Sequence, residues 1–550
     1  SSIIAISSAS RSHRAAFSRG TVFWARAVIM AMMCVCLLGA MHAQAMRIEK
    51  SESQGSDDGA VLIDRWKGED ARVWLERQLA QEPDNPKWRF LLSQALFYLG
   101  RYADALAAVD ALIEDVPHPQ FHGFRGFIAQ TIASTETLTL IESEHFRIFV
   151  DTDRDAALVP YIQDVLEQSY QRLGKHFGLF PKEKILVEVF PTTGTFYPAS
   201  SLSARDIEVS GAIGICKFNK IMLLSPRNLA RGYRWTDAIS HEYLHYLIVH
   251  LSANEAPIWL HEGIAKYFED AWRLPESSWL SRRTESLLAH ALANDSFVGF
   301  KNMEPSLVKL DTTYQVQLGY AEAASVIDFI IHSMGSKGLA RILQDLSEAH
   351  GDGATGAISR VMGYEFEQFE KEWRQFLQSK QLQEHQGVRL PRFTLKEGDQ
   401  IPAEDLRAEI ESTTARMHTR LGDRLRQRGR DRAAAREYNR ALDKDPYSPY
   451  LLNKLASALM TQQRWSSALQ YLERARMLAP DYVTTYTNLG RLHVALQAYE
   501  KARAALWEAV QINPFDPLIH QYLAESYRQL GMDDQAQQEQ QLFERLQGSR

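Results

Sequence analysis

The C-terminal third of the chain repeats itself every 34 residues, and no other feature constrains the fold as strongly. Small or helix-breaking residues recur at four positions of this period. They are Gly422, Ala456, Gly490 and Ala524; Ala434, Ala468, Ala502 and Ala536; Ala441, Ala475 and Ala509; and Pro446, Pro480 and Pro514. Small residues let two antiparallel helices approach closely, and proline ends the second helix of each pair. The pattern therefore predicts four stacked helical hairpins over residues 414–548.

This repeat resembles the tetratricopeptide (TPR) family. The last unit ends in a polar stretch without proline, as expected for the terminal repeat of an array. Residues 62–135 resemble a further unit of this kind, because Pro117 follows Pro83 by 34 residues and Ala105 is small. We therefore predict all-α TPR domains on both sides of the centre of the chain. The resemblance implies that the array binds a protein partner or a substrate on a concave surface.

The centre of the chain has a different texture. The stretches "HFRIFVD" and "KILVEVFP" are rich in β-branched and aromatic residues and predict strands, and "GAIGICKFNKIMLLSP" predicts a hairpin. Helical periodicity follows from residue 234. Residues 140–385 are therefore predicted to form an α+β domain with a small sheet followed by helices. Residues 386–413 contain a polar stretch with proline and glycine, and they are predicted to link this domain to the repeats.

A metal-ligand pattern begins the helical half of the central domain. Residues 241–245 read HEYLH, and the spacing of four places His241 and His245 on one face of a helix, where both imidazoles can reach one zinc ion. Glu242 is then positioned to take a proton from water at the metal. Thr236 or Asp237 is expected to cap the start of this helix.

Zinc in a catalytic site needs a third protein ligand and an open position for water. Sixteen residues separate His245 from Glu262, and Pro257 between them suits the first turn of a second helix. A helical hairpin would bring Glu262 back opposite the histidine pair. The sequence thus predicts a His₂Glu site.

These residues resemble the gluzincin zinc metallopeptidases, and within them the peptidase MA-like group. Members of that group show HExxH followed by W-[LIV]-x-E-G-x-A, and residues 259–265 of this chain read WLHEGIA. The resemblance covers about residues 140–385 and implies a zincin-like fold. It also implies one zinc ion per chain, with His241, His245 and Glu262 as ligands and Glu242 as the general base.

Two further elements follow from the resemblance. An oxyanion needs a hydrogen-bond donor besides the metal, and the tyrosine that precedes an apolar helix in relatives corresponds to Tyr320, or less well to Tyr314. Either tyrosine could instead be packed in the core. The hairpin at residues 211–225 corresponds to an edge strand that pairs with extended substrate, and Gly211 and Gly214 would let the backbones approach closely.

The other histidines of the segment do not fit the metal. His250 lies five residues after His245 and so on another face of the helix, where we expect a surface histidine or one in the last turn. His261 adjoins Glu262 and is expected to point elsewhere.

The chain departs from the family at one position. Four residues after the third ligand, relatives commonly carry an acid that orients a ligand histidine. This chain has Lys266 there, and Glu269 or Asp270, about one turn further on, is expected to take over that role.

Residues 1–45 are predicted to be a secretory signal peptide. They contain four arginines and no acid, followed by a 14-residue apolar run and Ala43-Gln44-Ala45. Because a membrane span needs about 20 residues, we favour cleavage after Ala45 over an uncleaved anchor. The remaining chain would be periplasmic or secreted, without a stable membrane span. Its net charge would be −10 rather than −6, since the four arginines are removed.

Composition excludes one class of partner. The net charge of −6 and the pI of about 6.3 provide no electrostatic footprint for nucleic acid. Basic and aromatic residues are not interleaved as a strand-binding groove requires.

The sequence therefore predicts an exported zinc peptidase, acting on a peptide or protein substrate and flanked by TPR repeats. The alternative is a catalytically inactive TPR scaffold that keeps a zinc-binding domain. A zinc hydrolase acting on something other than peptides is a third interpretation.

Overall fold

The structure is a computed structural model and describes residues 59–396, 407 and 409–548. The predicted signal peptide, residues 1–45, lies outside these ranges. Within them, none of the helices combines the length and the apolar character that a bilayer span requires.

The predicted N-terminal TPR-like region is helical throughout. Its helices are α1 (Gly59–Asp64), α2 (Gly68–Gln81), α3 (Pro86–Tyr98), α4 (Tyr102–Asp115) and α5 (Pro119–Thr135). Asn85 caps α3, because its side chain accepts a hydrogen bond from the Lys87 backbone amide at 3.0 Å. Leu75 and Ala95 are fully buried where α2 and α3 pack together. The exact domain limits given above stay a prediction.

A five-stranded mixed sheet follows. Its strands are β1 (Thr139–Glu142), β2 (Phe146–Val150), β3 (Ile185–Phe190), β4 (Gly214–Lys217) and β5 (Lys220–Leu224). They lie in the order β1-β2-β3-β5-β4, with β2, β3 and β5 parallel and the two outer strands antiparallel to their neighbours. All six residues of β3 are buried, so both faces of the sheet are covered at its centre. β4 is an edge strand.

The remainder of the central domain is helical. Its helices are α6 (Val159–Phe177), α7 (Thr193–Ser200), α8 (Ala204–Ser210), α9 (Trp235–Ser252), α10 (Ile258–Phe268), α11 (Arg282–Asn294), α12 (Thr313–Ser347), α13 (Gly353–Met362) and α14 (Phe366–Ser379). α6 lies between β2 and β3, and α9 packs against β4 and β5. Gly263 brings α10 against α12, since a Cβ atom there would lie 2.5 Å from the Ala323 carbonyl oxygen. This close approach fixes where α10 lies.

The C-terminal repeats form eight helices in the described range. They are α15 (Thr413–Gln427), α16 (Asp431–Lys444), α17 (Pro449–Met460), α18 (Trp465–Leu478), α19 (Val483–Ala495), α20 (Tyr499–Ile512), α21 (Pro517–Gln529) and α22 (Asp533–Gly548). The small residues of the repeat are buried between paired helices, and a Cβ atom at Gly490 would lie 2.3 Å from Leu506. The predicted fold class, an α+β zincin-like domain flanked by helical TPR-type regions, is confirmed.

The N-terminal helices are joined to the sheet by a buried charged cluster. Lys220 on β5 is fully buried, and its Nζ atom donates to Glu188 Oε2 and to the Tyr102 hydroxyl, both at 2.7 Å. Tyr102 belongs to α4 and donates in turn to the second oxygen of Glu188 at 2.5 Å. Because every charge of the cluster is paired, its burial is tolerated. The cluster holds the N-terminal helices against β3 and β5. Of these two strands, β5 is the neighbour of the edge strand β4.

Candidate metal centre

Helix α9 presents two histidines to its neighbour α10. The ring centroids of His241 and His245 lie 4.8 Å apart, as residues one turn apart on the same helical face do. Each keeps about a seventh of its side chain exposed, at 15% and 13% respectively. Both imidazoles are therefore accessible from one side, as the spacing predicts.

Glu262 on α10 returns to this histidine pair. Its Oε2 atom lies 3.3 Å from Nε2 of His241 and 3.6 Å from Nε2 of His245. Ligands bound to one tetrahedral zinc at 2.0–2.1 Å lie about 3.4 Å from one another. Across the described residues, this trio is the group whose potential ligand atoms converge, all within 4.8 Å. The donor set and its spacing fit a zinc ion.

The trio is also electrostatically matched. Burial by itself would raise the pKa of Glu262, but the two imidazoles hold it well below its ordinary value. Burial would likewise lower the pKa of His241, but hydrogen bonds to Glu262 and Glu269 outweigh it and raise the pKa to about 10. The histidines and Glu262 thus stabilise one another's charged forms, and a metal ion would bind here by displacing the imidazole protons.

The role expected of Glu269 or Asp270 falls to Glu269 in this geometry. Glu269 Oε2 lies 3.2 Å from Nδ1 of His241, and Nε2 of the same ring faces Glu262. Lys266, at the position where relatives carry the acid, instead donates to the other oxygen of Glu269 at 2.5 Å. Asp270 accepts hydrogen bonds from Ser278. A carboxylate on the far nitrogen of a ligand histidine fixes its tautomer and orientation.

Glu242 lies against the edge strand. Its side chain is buried, and its Oε2 atom has no hydrogen-bond partner. A Cβ atom at Gly214 of β4 would lie 2.7 Å from its Oε1 atom, so any other residue there would displace this carboxylate. Burial raises the pKa of Glu242 above its ordinary value, although His245 and His241 oppose the shift. A buried carboxylate with an unpaired oxygen, next to side chains that can bind a metal ion, has the character of a proton acceptor.

The two remaining histidines lie outside the trio. His261 is buried on α10, 5.5 Å from the ring of His245, and burial lowers its pKa to about 3. His250 lies in the last turn of α9, as expected, but it is not a surface residue. It packs edge-on against Trp66 at 6.4 Å, and burial lowers its pKa to about 4.

Both tyrosine candidates pack against apolar clusters, but different carboxylates act on them. Burial raises the pKa of Tyr320 well above its ordinary value, and the carboxylates of Glu262 and Glu242 contribute to the rise. Tyr320 is therefore within electrostatic range of the trio. Tyr314 packs instead with the apolar cluster around Leu287, away from these carboxylates.

The start of α9 differs from the prediction. Neither Thr236 nor Asp237 caps the helix. It begins at Trp235, and Arg234 occupies the N-cap position without a capping hydrogen bond from its side chain. Asp237 instead accepts hydrogen bonds from the Trp272 indole at 2.8 Å and from the Arg273 guanidinium at 2.9 and 2.7 Å. The carboxylate turns toward the segment that follows α10, because a guanidinium binds a carboxylate more strongly than backbone amides do.

The predicted hairpin is present, but its glycines serve other purposes than expected. β4 and β5 are joined at Phe218 and Asn219, both in the left-handed region at φ 58° and 60°, as a tight hairpin turn requires. Gly211 is not open to an approaching backbone, because the ring of Phe393 lies 2.3 Å from where its Cβ would be. Gly214 makes room for Glu242. Among the described residues β4 has no strand on its outer side, and this edge stays a candidate for pairing with extended substrate.

The fold places an α+β domain with a convergent His₂Glu trio between TPR-type helical regions, and comparison with known families agrees with this architecture. Residues 166–379 match the Peptidase MA superfamily, and residues 63–126 and 459–525 match the tetratricopeptide repeat. The chain therefore contains a Peptidase MA-like domain flanked by TPR repeats.

Curated relatives match over short stretches. Anaphase-promoting complex subunit 3 of Schizosaccharomyces pombe is 33% identical over 95 residues, which are 17% of this chain and 14% of that protein. Tetratricopeptide repeat protein 21B of Xenopus laevis is 31% identical over 99 residues, 18% of this chain and 7% of that protein. The chain thus spans a small part of each relative.

Solved structures match chiefly at the level of helical repeats. A thermophilic TPR protein from Thermus thermophilus is 26% identical with a TM-score of 0.23, over 24% of this chain and 72% of that one. Yeast Tom70 is 11% identical with a TM-score of 0.19, over 88% of both chains. Scores this low carry no argument about function.

Sequence reasoning missed two features of the site. The contact between Gly214 and Glu242 was signalled only by a glycine within a strand, which marks a close approach without identifying what approaches. The segment "ARGYRW" before α9 is dense in arginine and aromatic residues. That density signals a packed contact, but its partners lie more than 170 residues away in the sequence.

Proposed function

We propose that this protein is a zinc-dependent peptidase. The observation that carries the proposal is the convergence of His241, His245 and Glu262, next to a buried glutamate with an unpaired oxygen atom. The match of residues 166–379 to the Peptidase MA superfamily supports the same reaction class. When bound by the trio, zinc supplies a Lewis acid that polarises a substrate carbonyl and lowers the pKa of a water molecule.

The residues of the chain then have distinct tasks. Glu242 accepts the proton of the attacking water through its unpaired oxygen and donates it to the leaving amine. Its raised pKa brings its proton affinity closer to that of the groups with which it exchanges the proton. Tyr320 donates a hydrogen bond to the oxyanion that forms on the substrate. The extended substrate pairs with the free edge of β4 by strand addition.

An inactive scaffold that keeps zinc is the main alternative. Such a scaffold has no need of Glu242, whose buried carboxylate costs stability without a structural partner for Oε2. This favours the enzyme. A hydrolase acting on a non-peptide substrate would use the same residues and differ only in the pocket.

The ligand set predicts graded losses of metal. In Glu262→Gln, zinc is expected to fall from one per chain to a small fraction, because a neutral amide replaces an anionic ligand. In Glu269→Gln, zinc binding is expected to weaken about 10- to 100-fold but to stay stoichiometric at saturation. Metal content and chelator competition measure both. Glu208→Gln, at an exposed site on α8, serves as the control, and stoichiometric zinc of unchanged affinity in Glu262→Gln would contradict the assignment.

The proposed base predicts activity loss with zinc retained. Glu242→Gln is expected to lower kcat for peptide cleavage about 10²- to 10⁴-fold. Gly214→Ala is expected to cost up to about 100-fold, since the new methyl group displaces the same carboxylate. Gly194→Ala is the matched control, because its methyl group meets nothing closer than 3.8 Å. Turnover on a peptide library measures all three, and a Glu242→Gln enzyme of full activity would favour the scaffold.

We also propose that the array binds a protein partner, which TPR repeats elsewhere suggest. The first repeat supports an acidic partner, because residues 412–444 contain ten basic and four acidic residues in a chain of net charge −6. Replacing the exposed Arg428, Arg432 and Arg436 by Gln is expected to weaken binding of acidic peptides about tenfold and to flatten its salt dependence. The same changes at Arg172, Lys175 and Lys182 are the control, and equal effects of both sets would refute a surface on the array.

Export is proposed from the pattern of residues 1–45. The protein expressed with its N-terminal segment should appear outside the cytoplasm and begin at Met46. Amino-terminal sequencing of the mature protein measures this, and an intact N-terminal segment on soluble cytoplasmic protein would contradict it.

A further inference from the structure

The segment that leads into the zinc-ligand helix is held by the TPR array. Trp235, the first residue of α9, is fully buried, and its indole donates to the Val510 carbonyl oxygen at 2.9 Å. The Tyr233 backbone amide donates to the Ile512 carbonyl oxygen at 3.0 Å. At Gly232 a Cβ atom would lie 2.5 Å from that same oxygen, so the two backbones are in direct contact. The last turn of α20 therefore forms one wall around this segment.

Ion pairs add to these hydrogen bonds and backbone contacts. Arg234 lies 2.7 Å from Glu508 and 3.4 Å from Asp481, two acids of the array, and only 14% of its side chain is exposed. It also donates to the Pro480 carbonyl oxygen at 3.2 Å. Because this guanidinium is largely sheltered from water, its pairs are stronger than ordinary surface ion pairs.

A second arginine makes a parallel contact. Arg231 binds both oxygens of Glu409 at 2.9 and 3.1 Å. Its guanidinium lies over the rings of Tyr482 and Tyr450, at 4.5 and 5.6 Å from their centres. Arginine stacked on tyrosine is a specific geometry rather than a chance surface encounter.

These contacts continue inward to the metal ligands. Asp237, one turn into α9, binds Trp272 and Arg273 just beyond α10. His241 lies one further turn along α9 and is bonded to Glu269, which precedes Trp272 by three residues. The relative position of the two ligand-bearing helices is thus fixed at the same end that the array holds.

The array also contacts the central domain at a second place, away from residues 231–235. The hydroxyl of Tyr161 on α6 donates to the buried Glu539 of α22 at 2.7 Å, and its ring packs on Trp507 at 5.4 Å. This contact attaches the last two repeats to the central domain without involving α9. The grip on residues 231–235 is therefore additional to what attachment needs.

We propose that the TPR array is an internal clamp on the metal site, with Arg234 as the positioning residue that Asp481 and Glu508 hold. The clamp sets the start of α9 and thereby the distance between the histidine pair and Glu262. The edge of the array formed by the ends of α18 and α20 is then occupied by the protein's own central domain. The inference rests on the proposed zinc site but not on peptidase activity.

The test uses the full chain carrying Asp481→Asn and Glu508→Gln together. These side chains are 52% and 32% exposed, so the double variant is expected to keep the wild-type circular dichroism spectrum. The expected result is a zinc dissociation constant about tenfold higher, measured by competition with a chelator. Asp443→Asn with Glu473→Gln, the same charge change elsewhere on the array, is the control and should match wild type.

A charge exchange separates positioning from general destabilisation. Arg234→Glu should weaken zinc binding at least as much, and Arg234→Glu with Glu508→Arg should recover part of the loss. Unchanged zinc affinity in the folded double variant, or no recovery in the exchange, would overturn the clamp. A wild-type protein that binds no zinc would instead refute the proposed function, so the two failures are distinguishable.

Discussion

The site depends on the return of α10 alongside α9, which places one carboxylate between two imidazoles. A turn with Ala253 and Asn254 in the left-handed region reverses the chain. The contact of Gly263 with the α12 backbone then holds α10 closely against α12. An uncompensated carboxylate among these buried groups would be costly, but here Glu262 lies within 3.3 and 3.6 Å of the two imidazole nitrogens. Fold and metal chemistry thus satisfy the same constraint.

Most of this arrangement is readable from the sequence, because it depends on local periodicity. The 34-residue repeat defines its helices, and the spacing of four defines the face shared by His241 and His245. Glu262 could be predicted from a family pattern and a helical hairpin. What could not be predicted depends on contacts between distant segments. The choice of Glu269 over Asp270 is set by Ser278 and the side chain of His241, and no periodicity records it.

The same distinction explains the errors at the start of α9. Thr236 and Asp237 are residue types that often cap helices, but local propensity is outweighed when the Arg273 guanidinium competes for the acid. Residues 231–235, which lead into α9, contact repeats more than 200 residues away. The repeats could be recognised from the sequence, whereas the surface they contact could not. A TPR array recognised by its period suggests an external protein partner. The structure shows that part of this array contacts the central domain of the same chain.

The central claim is that His241, His245 and Glu262 hold one zinc ion. Anomalous diffraction at the zinc absorption edge, from crystals of the full chain purified with zinc, tests it most directly. The account predicts one strong peak per chain, surrounded by Nε2 of His241, Nε2 of His245 and a carboxylate oxygen of Glu262. A peak at another site, or none in crystals that diffract well, would contradict it.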